Sequence, residues 1–378
     1  MINKNLLRKE GKNMEKNIDV LESWLKEQQS EVAFITEPEN IAYFTGYHSD
    51  PHERVLGLLV FSDHPPFLFT PGLEVEDAKT SGWKHDVYGY SDTEDPFQII
   101  AREIQARVQK PTKIAVEKNH ITLDRFEQLS GKFAGTSFIP IEHKIQMIRL
   151  VKTEDELKIL KEAALLADYA VQVGVDQIAE GKTEAEIVAK IEFEMKKKGV
   201  SKMSFDTMVL TGKNGALPHG TPGDTKIKKG DLVLFDLGVV HKGYCSDITR
   251  TVAFGEITDE QKKIYDTVLD AQQKAIAKVR AGVPAKELDM TARDTIRAAG
   301  YGEFFPHRLG HGLGASVHEF PSITETNEMP LSENMVFTIE PGIYVPGVAG
   351  VRIEDDIVVT KDGYEILTEF PKELLVIE

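Results

Sequence analysis

The stretch LVLFDLGVVHKGYCSDITR, residues 232–250, opens as an apolar strand and then places Asp236 where burial should continue, with Asp247 on the return. The two apolar runs flanking His241, Lys242 and Gly243 read as a β-hairpin, glycine supplying a permissive turn position. Side chains alternate faces along a strand, so a turn of even length, or a bulged one, puts both aspartates on one face. A three-residue turn without a bulge would separate them. On one half-buried face, two carboxylates roughly 5 to 8 Å apart repel each other and resist desolvation. Either each finds its own basic or backbone partner, or a cation sits between them.

The rest of the chain decides which. Its 378 residues allow two domains and a substantial core. A net charge of −16, with no compensating basic run, excludes nucleic acid and anionic membrane surfaces as partners. The opening MINKNLLRKEGKNMEKNIDV has no apolar core of a signal peptide, and Val55 to Phe61 is far too short to span a bilayer. One cysteine, Cys245, forbids an intrachain disulfide and agrees with a reducing, cytoplasmic setting. Cys245, two before Asp247, is either near the acidic face or a packed thiol. Met14 stands ahead of the first amphipathic segment as an alternative start.

Residues 1–143 alternate strand-like runs (VAFIT at 32–36, VLGLLVF at 55–61, KIAVE at 113–117) with helical stretches such as 96–108, which predicts a small α/β domain. A connector is expected over Lys144 to Lys152, with a second domain over 144–378. Thr153 with Glu156, Thr183 with Glu186 and Thr258 with Gln261 are capping-box signatures for helices. Gly181 and Gly199 lie eighteen residues apart, as do Gly282 and Gly300, each pair bracketing a charged amphipathic segment. Each half then reaches a hairpin-like region. The second, MVFTIEPGIYVPGVAGVRIEDDIVV, again breaks an apolar strand with an acid, Glu340, and returns with Glu354. Two copies of one helix–helix–hairpin unit, each giving two inward carboxylates, would enclose a common site.

Between the acidic hairpins, FPHRLGHGLGASVHEFPSI holds His307, His311 and His318. Histidines beside four strand-borne carboxylates point to a metal site. Oxygen-rich ligation with imidazole suits Mn or another hard to borderline divalent ion, and four carboxylates exceed what one dication balances, so two ions are expected.

With these residues in place, DLG…YCSDITR, LPHG at 217–220, GHGLG…HEFP at 310–321, TIEPGIY at 338–344 and VRIED at 351–355 closely resemble the pita-bread metallopeptidases, which include methionine aminopeptidase, aminopeptidase P and prolidase. The resemblance runs from about Thr153 to the end, and ENIAYFTGY at 39–47 resembles the amino-terminal domain of the proline-specific branch. It implies an α+β fold: a C-terminal pita-bread domain of two pseudo-symmetric halves behind a smaller N-terminal α/β domain. It also implies metal ligation by Asp236, Asp247, His311, Glu340 and Glu354, with Asp247 and Glu354 bridging two ions, Mn first and Co or Zn as alternatives.

The same resemblance gives His219 and His318 substrate-facing roles, Glu340 the handling of a water proton, and Tyr344 an active-site place. Arg352, two before Glu354, shares its strand face and would orient site carboxylates; otherwise it is a surface arginine beside Asp355 and Asp356. The expected reaction is hydrolysis of the Xaa-Pro bond of dipeptides by a metal-bridging hydroxide. Such a bond has no N–H, so an apolar pocket takes it without burying an unpaired donor. A dipeptidase must also pair the free carboxylate, for which His52 and Arg54 in HSDPHER are candidates, and the family favours a homodimer. Aminopeptidase P, acting on longer Xaa-Pro peptides, is the neighbouring reading, and a non-catalytic pita-bread binding protein is the remaining one.

Overall fold

In the computed structural model, which describes residues 4–378, the chain divides into two compact units whose boundary in sequence falls between Ile148 and Arg149. Among the described residues no helix is long and apolar enough to cross a membrane.

The N-terminal unit is a six-stranded mixed sheet with strand order Asp86–Tyr90, Phe67–Pro71, Gly57–Phe61, Val32–Ile35, Lys113–Val116, Ser137–Pro140. Val32 and Phe34 enter one apolar cluster, Ala33 and Ile35 the other. That central strand is buried on both faces, which is why it reads as an unbroken apolar run. The edge strands Asp86–Tyr90 and Ser137–Pro140 are mostly half-exposed and carry little such signal. The helix Lys4–Gln28 runs through Met14. The connector expected from Lys144 is corrected: Glu142–Leu150 is a helix, because Ile145 and Ile148, at helical spacing, pack into the N-terminal core.

In the second unit all three capping boxes form, opening the helices Glu154–Val175, Glu184–Lys197 and Asp259–Ile276. A fourth helix, Ala285–Ala298, lies between Gly282 and Gly300. All four bracketing glycines hold positive φ, from 81° to 92°. The repeat is visible bond by bond. Gly181 N donates to Ile227 O and Ile227 N to Lys182 O; Gly282 N donates to Leu331 O and Leu331 N to Val283 O. In each half the first acid, Asp236 or Glu340, follows nine residues after that anchoring Ile or Leu. The helices of the two halves cover a four-stranded and a five-stranded sheet, of orders Val376–Ile377, Ile248–Phe254, Asp231–Leu237, Met208–Thr211 and Glu319–Ile323, Gly310–Gly312, Val336–Ile339, Asp355–Val359, Tyr364–Ile366.

The acidic hairpins close as their sequences require. His241 pairs with Tyr244 across a two-residue turn in which Lys242 and Gly243 both have positive φ, 49° and 83°. This is the twist-matched geometry of a short hairpin. Asp236 faces Thr249 in the ladder, so Asp247, two residues earlier on the return strand, lies diagonal to it on the same face. In the second hairpin Ile339 faces Asp355 and Gly342 faces Arg352, a shared register that sets Glu340 opposite Glu354. Gly238 lets the first hairpin bend: a Cβ there would lie 1.8 Å from Ser246 O. Gly238→Ala should therefore destabilise the protein by about 3 kcal/mol, through backbone displacement beside Asp247, which a denaturant midpoint would report.

Candidate metal centre

The two hairpins are stitched together behind their acids. Glu354 N donates to Thr249 O at 3.1 Å and Thr251 Oγ1 to Arg352 O at 3.0 Å. Asp247 N donates to Asp356 Oδ2 at 3.1 Å. Arg250, 1 % exposed, donates to Glu354 O and to Asp355 Oδ1 at 2.7 Å. Asp355, which also takes bonds from Gln272 and Thr368, is thereby committed away from the acidic face.

On that face the structure brings Asp236, Asp247, His311, Glu340 and Glu354 together. One ligand atom each from Asp247, His311 and Glu354 lie within 4.8 Å of one another. His311 Nε2 is 3.3 Å from Glu340 Oε1 and 3.7 Å from Asp247 Oδ2. The Nδ1 atom of His311 is 3.1 Å from Gly312 O. With a proton on Nδ1 for that bond, Nε2 would present its lone pair to a metal ion between the acids, the tautomer such an ion requires; without an ion, a protonated Nε2 faces Glu340 instead.

The carboxylates share one pattern. Arg352 Nη2 donates to Asp236 Oδ2, and Thr249 Oγ1 donates to Glu354 Oε2 at 2.6 Å. Among the described residues, Asp236 Oδ1, Asp247 Oδ1 and Glu354 Oε1 are buried with no hydrogen-bond partner, as is Asp356 Oδ1 behind them. Buried anionic oxygens left bare are costly unless a cation meets them. Burial and the neighbouring charges of Glu354, Asp236, Asp356 and Glu340 push the Asp247 pKa well up; burial, Glu340 and Asp236 do the same to Glu354. Glu340 differs: against burial, its bond to His311 and the charges of His311, His307 and Arg352 hold it down at about 2. An oxygen-rich cradle with one correctly turned imidazole and three bare oxygens fits divalent ions.

Around this cradle, Arg352 is buried, which removes the surface-arginine alternative; its Nη1 donates to Tyr344 Oη at 2.6 Å and its Nε to Thr249 at 3.1 Å. Burial chiefly pushes Tyr344 up to about 12, so it stays a phenol. Tyr344 Oη is 3.0 Å from His307 Nε2, a contact that spacing gave no reason to single out. His318 is more open, its ring edge-on to His311 at 4.3 Å. Partial burial and the positive charges of His311 and Arg308 push its pKa down to about 4, so it is neutral near pH 7. Arg308 Nη1 donates to Ser322 Oγ at 3.2 Å, and among the described residues no carboxylate lies within ion-pair distance of it.

His219 is not gathered into the cluster. It is exposed on the loop after Gly212–Gly215, which the buried Glu184 ties down through Thr211 N, Asn214 Nδ2 and Gly223 N. His52 and Arg54 lie in the N-terminal unit, where His52 is exposed at φ 52° and Arg54 is bidentate on Asp92 at 2.9 and 3.2 Å. Cys245 packs with Leu160, Ala164 and Leu313 as an ordinary buried thiol.

The profile of metallopeptidase family M24 matches residues 158–361, and that of the creatinase/prolidase N-terminal domain matches 18–151. The chain belongs to the M24 metallopeptidase family, and its second unit is the pita-bread fold of that family. A Lactobacillus helveticus protein named Xaa-Pro dipeptidase is 48% identical over 363 residues, 96% of this chain and 99% of that one. The structure of a Xaa-Pro dipeptidase from Bacillus anthracis superposes with TM-score 0.89 at 35% identity, covering 96% of this chain and 100% of that one. An X-Pro aminopeptidase from Thermotoga maritima reaches TM-score 0.82 at 36% identity, over 92% and 98%.

The raised pKa values carry a sign that chelation exposes. Asp247 and Glu354, raised above the ordinary carboxylate value of about 4, contribute stability that is complete below that pH and is lost as pH rises toward their folded values. Chelator-treated protein should therefore melt at lower temperature as pH rises above about 4.5, and added Mn should raise Tm more at pH 8 than at pH 5.5. A pH-independent metal effect in thermal melts would contradict this.

Proposed function

We propose that this metallopeptidase hydrolyses the Xaa-Pro bond of dipeptides, using two divalent ions, Mn first among them, held by Asp236, Asp247, His311, Glu340 and Glu354. The observation that carries the reading is the set of three bare buried oxygens around a histidine whose Nε2 is turned toward them. The names of the relatives support the substrate class. When bound, such ions act as Lewis acids that lower the pKa of water and polarise a carbonyl.

The chain's own residues supply the rest. Glu340, receiving Thr338 Oγ1 at 3.2 Å, is the acceptor for the proton of an attacking water. Neutral His318 donates a hydrogen bond to the substrate carbonyl oxygen as negative charge develops on it, with His219 as a second donor from its loop. Arg352 fixes Asp236 and, through Tyr344, reaches His307, so the ligand face cannot turn. The free carboxylate of a dipeptide needs a cation. Arg54 already carries Asp92, whereas among the described residues the side chain of Arg308 meets Ser322 and no acid, so within this reading Arg308 is the stronger candidate and His52 and Arg54 are secondary. A homodimer and a cytoplasmic location complete the proposal.

His318→Ala should lower kcat about 100-fold with metal content unchanged; loss of metal instead would make His318 a ligand. Arg308→Ala should raise KM for Leu-Pro about tenfold or more, with Arg54→Ala nearly neutral. Equal turnover of Leu-Pro and Leu-Pro-Gly by the wild type would replace the dipeptidase reading with that of an aminopeptidase, the activity in the name of the Thermotoga maritima neighbour.

A further inference from the structure

Where the chain enters the second unit, two cations are buried side by side. The side chains of Lys152 and Arg149 are 1% and 9% exposed, and both converge on one carboxylate, Glu319, itself 6% exposed. Arg149 Nη2 meets Glu319 Oε1, and Lys152 Nζ meets Oε2 at 3.1 Å.

What the cluster encloses is the segment that ends in His318. Glu319 Oε1 also accepts from Ser316 N at 3.0 Å, and Arg149 Nη2 donates to Ser316 Oγ at 2.8 Å. A Cβ on Gly314 would lie 2.7 Å from the Glu319 carboxylate, so the loop wraps around that group with no space to spare. The far side is pinned by Cys245 N donating to Gly314 O at 2.8 Å. The cations themselves are anchored: Lys152 N donates to Asn334 O at 2.9 Å, Val151 bridges Met335, and Thr153 opens a capping box. His318 is thus the exposed residue next to a carboxylate locked from two sides.

We propose that Arg149 and Lys152, acting through Glu319, are positioning residues that hold the 314–319 loop so that His318 stands edge-on to His311. This rests on the reading of His318 as the substrate-facing donor. Neither cation touches substrate in this scheme. Their effect passes through one backbone loop, and a displacement of about 1 Å there is enough to cost a large factor in rate.

Lys152→Met is the leading variant, because it leaves Arg149 and Glu319 as a balanced buried pair and so preserves folding. Glu319→Gln, which keeps an acceptor for Ser316 N, is the second. Each should lower kcat for Leu-Pro about tenfold with unchanged metal content, and should speed amide hydrogen exchange at 314–319 in metal-free protein. In a His318→Ala background the same changes should cost nothing further. An equal loss in both backgrounds, or unaltered exchange in the loop, would overturn the proposal. Inactivity of the wild type on every Xaa-Pro peptide would instead remove the functional reading, and the exchange rates alone would then decide the clamp.

Discussion

The second unit is organised around the mutual repulsion of carboxylates that the fold forces together out of water. Asp236, Asp247, Glu340 and Glu354 come from two hairpins and meet with Asp356 behind them. Left to themselves, such groups would take up protons or drive the strands apart. The strands cannot part, because backbone and threonine hydrogen bonds stitch one hairpin to the other at Thr249, Thr251, Arg352 and Glu354. Glycines permit further close backbone approaches in this unit. A Cβ at Gly310 would lie 1.9 Å from Thr338 O, and one at Gly350 would lie 1.7 Å from Gly215 O.

The fold resolves the repulsion in part and leaves the remainder for metal. Arg352 meets one oxygen of Asp236 and Thr249 one oxygen of Glu354, while the other oxygen of each stays bare. Holding one oxygen fixes the direction of the other, so under the proposed ligation the bare oxygens are aimed before any ion arrives. Full satisfaction by protein donors would have removed the reason to bind a cation.

The doubled architecture follows from the same need. One helix–helix–hairpin unit supplies two acids and cannot enclose them. Two units, tied by the same pattern of backbone bonds at Gly181 and Gly282, bury both pairs against each other. The halves then differ in what fills a segment of similar length, about 37 residues from Gly199 to Asp236 and 40 from Gly300 to Glu340, the second carrying His307, His311 and His318. The proposed imidazole ligand and the neutral His318 both come from that asymmetry, as does the cationic clamp on Glu319.

Local pattern alone determined the capping boxes, the strand alternation and the glycine-bracketed repeat, and left open whether the turn would put Asp236 and Asp247 on one face. All of these are short-range consequences of backbone sterics and side-chain spacing, which operate over a few residues. Motif resemblance added the five proposed ligands, of which Asp247, His311 and Glu354 each offer an atom within 4.8 Å of the others. The edge strands at 86–90 and 137–140 were hidden because half-exposed edges carry little apolar signal, and the helix at 142–150 takes the place of an expected connector although Ile145 and Ile148 stand at helical spacing. Only tertiary structure decided that Arg352 faces Asp236, that Arg54 is spent on Asp92 while Arg308 has no acid, and that Arg149 and Lys152 close on Glu319. The last of these joins residues 167 and 170 positions apart. An ion pair's partner is set by packing across such distances, and no periodicity along the chain encodes it.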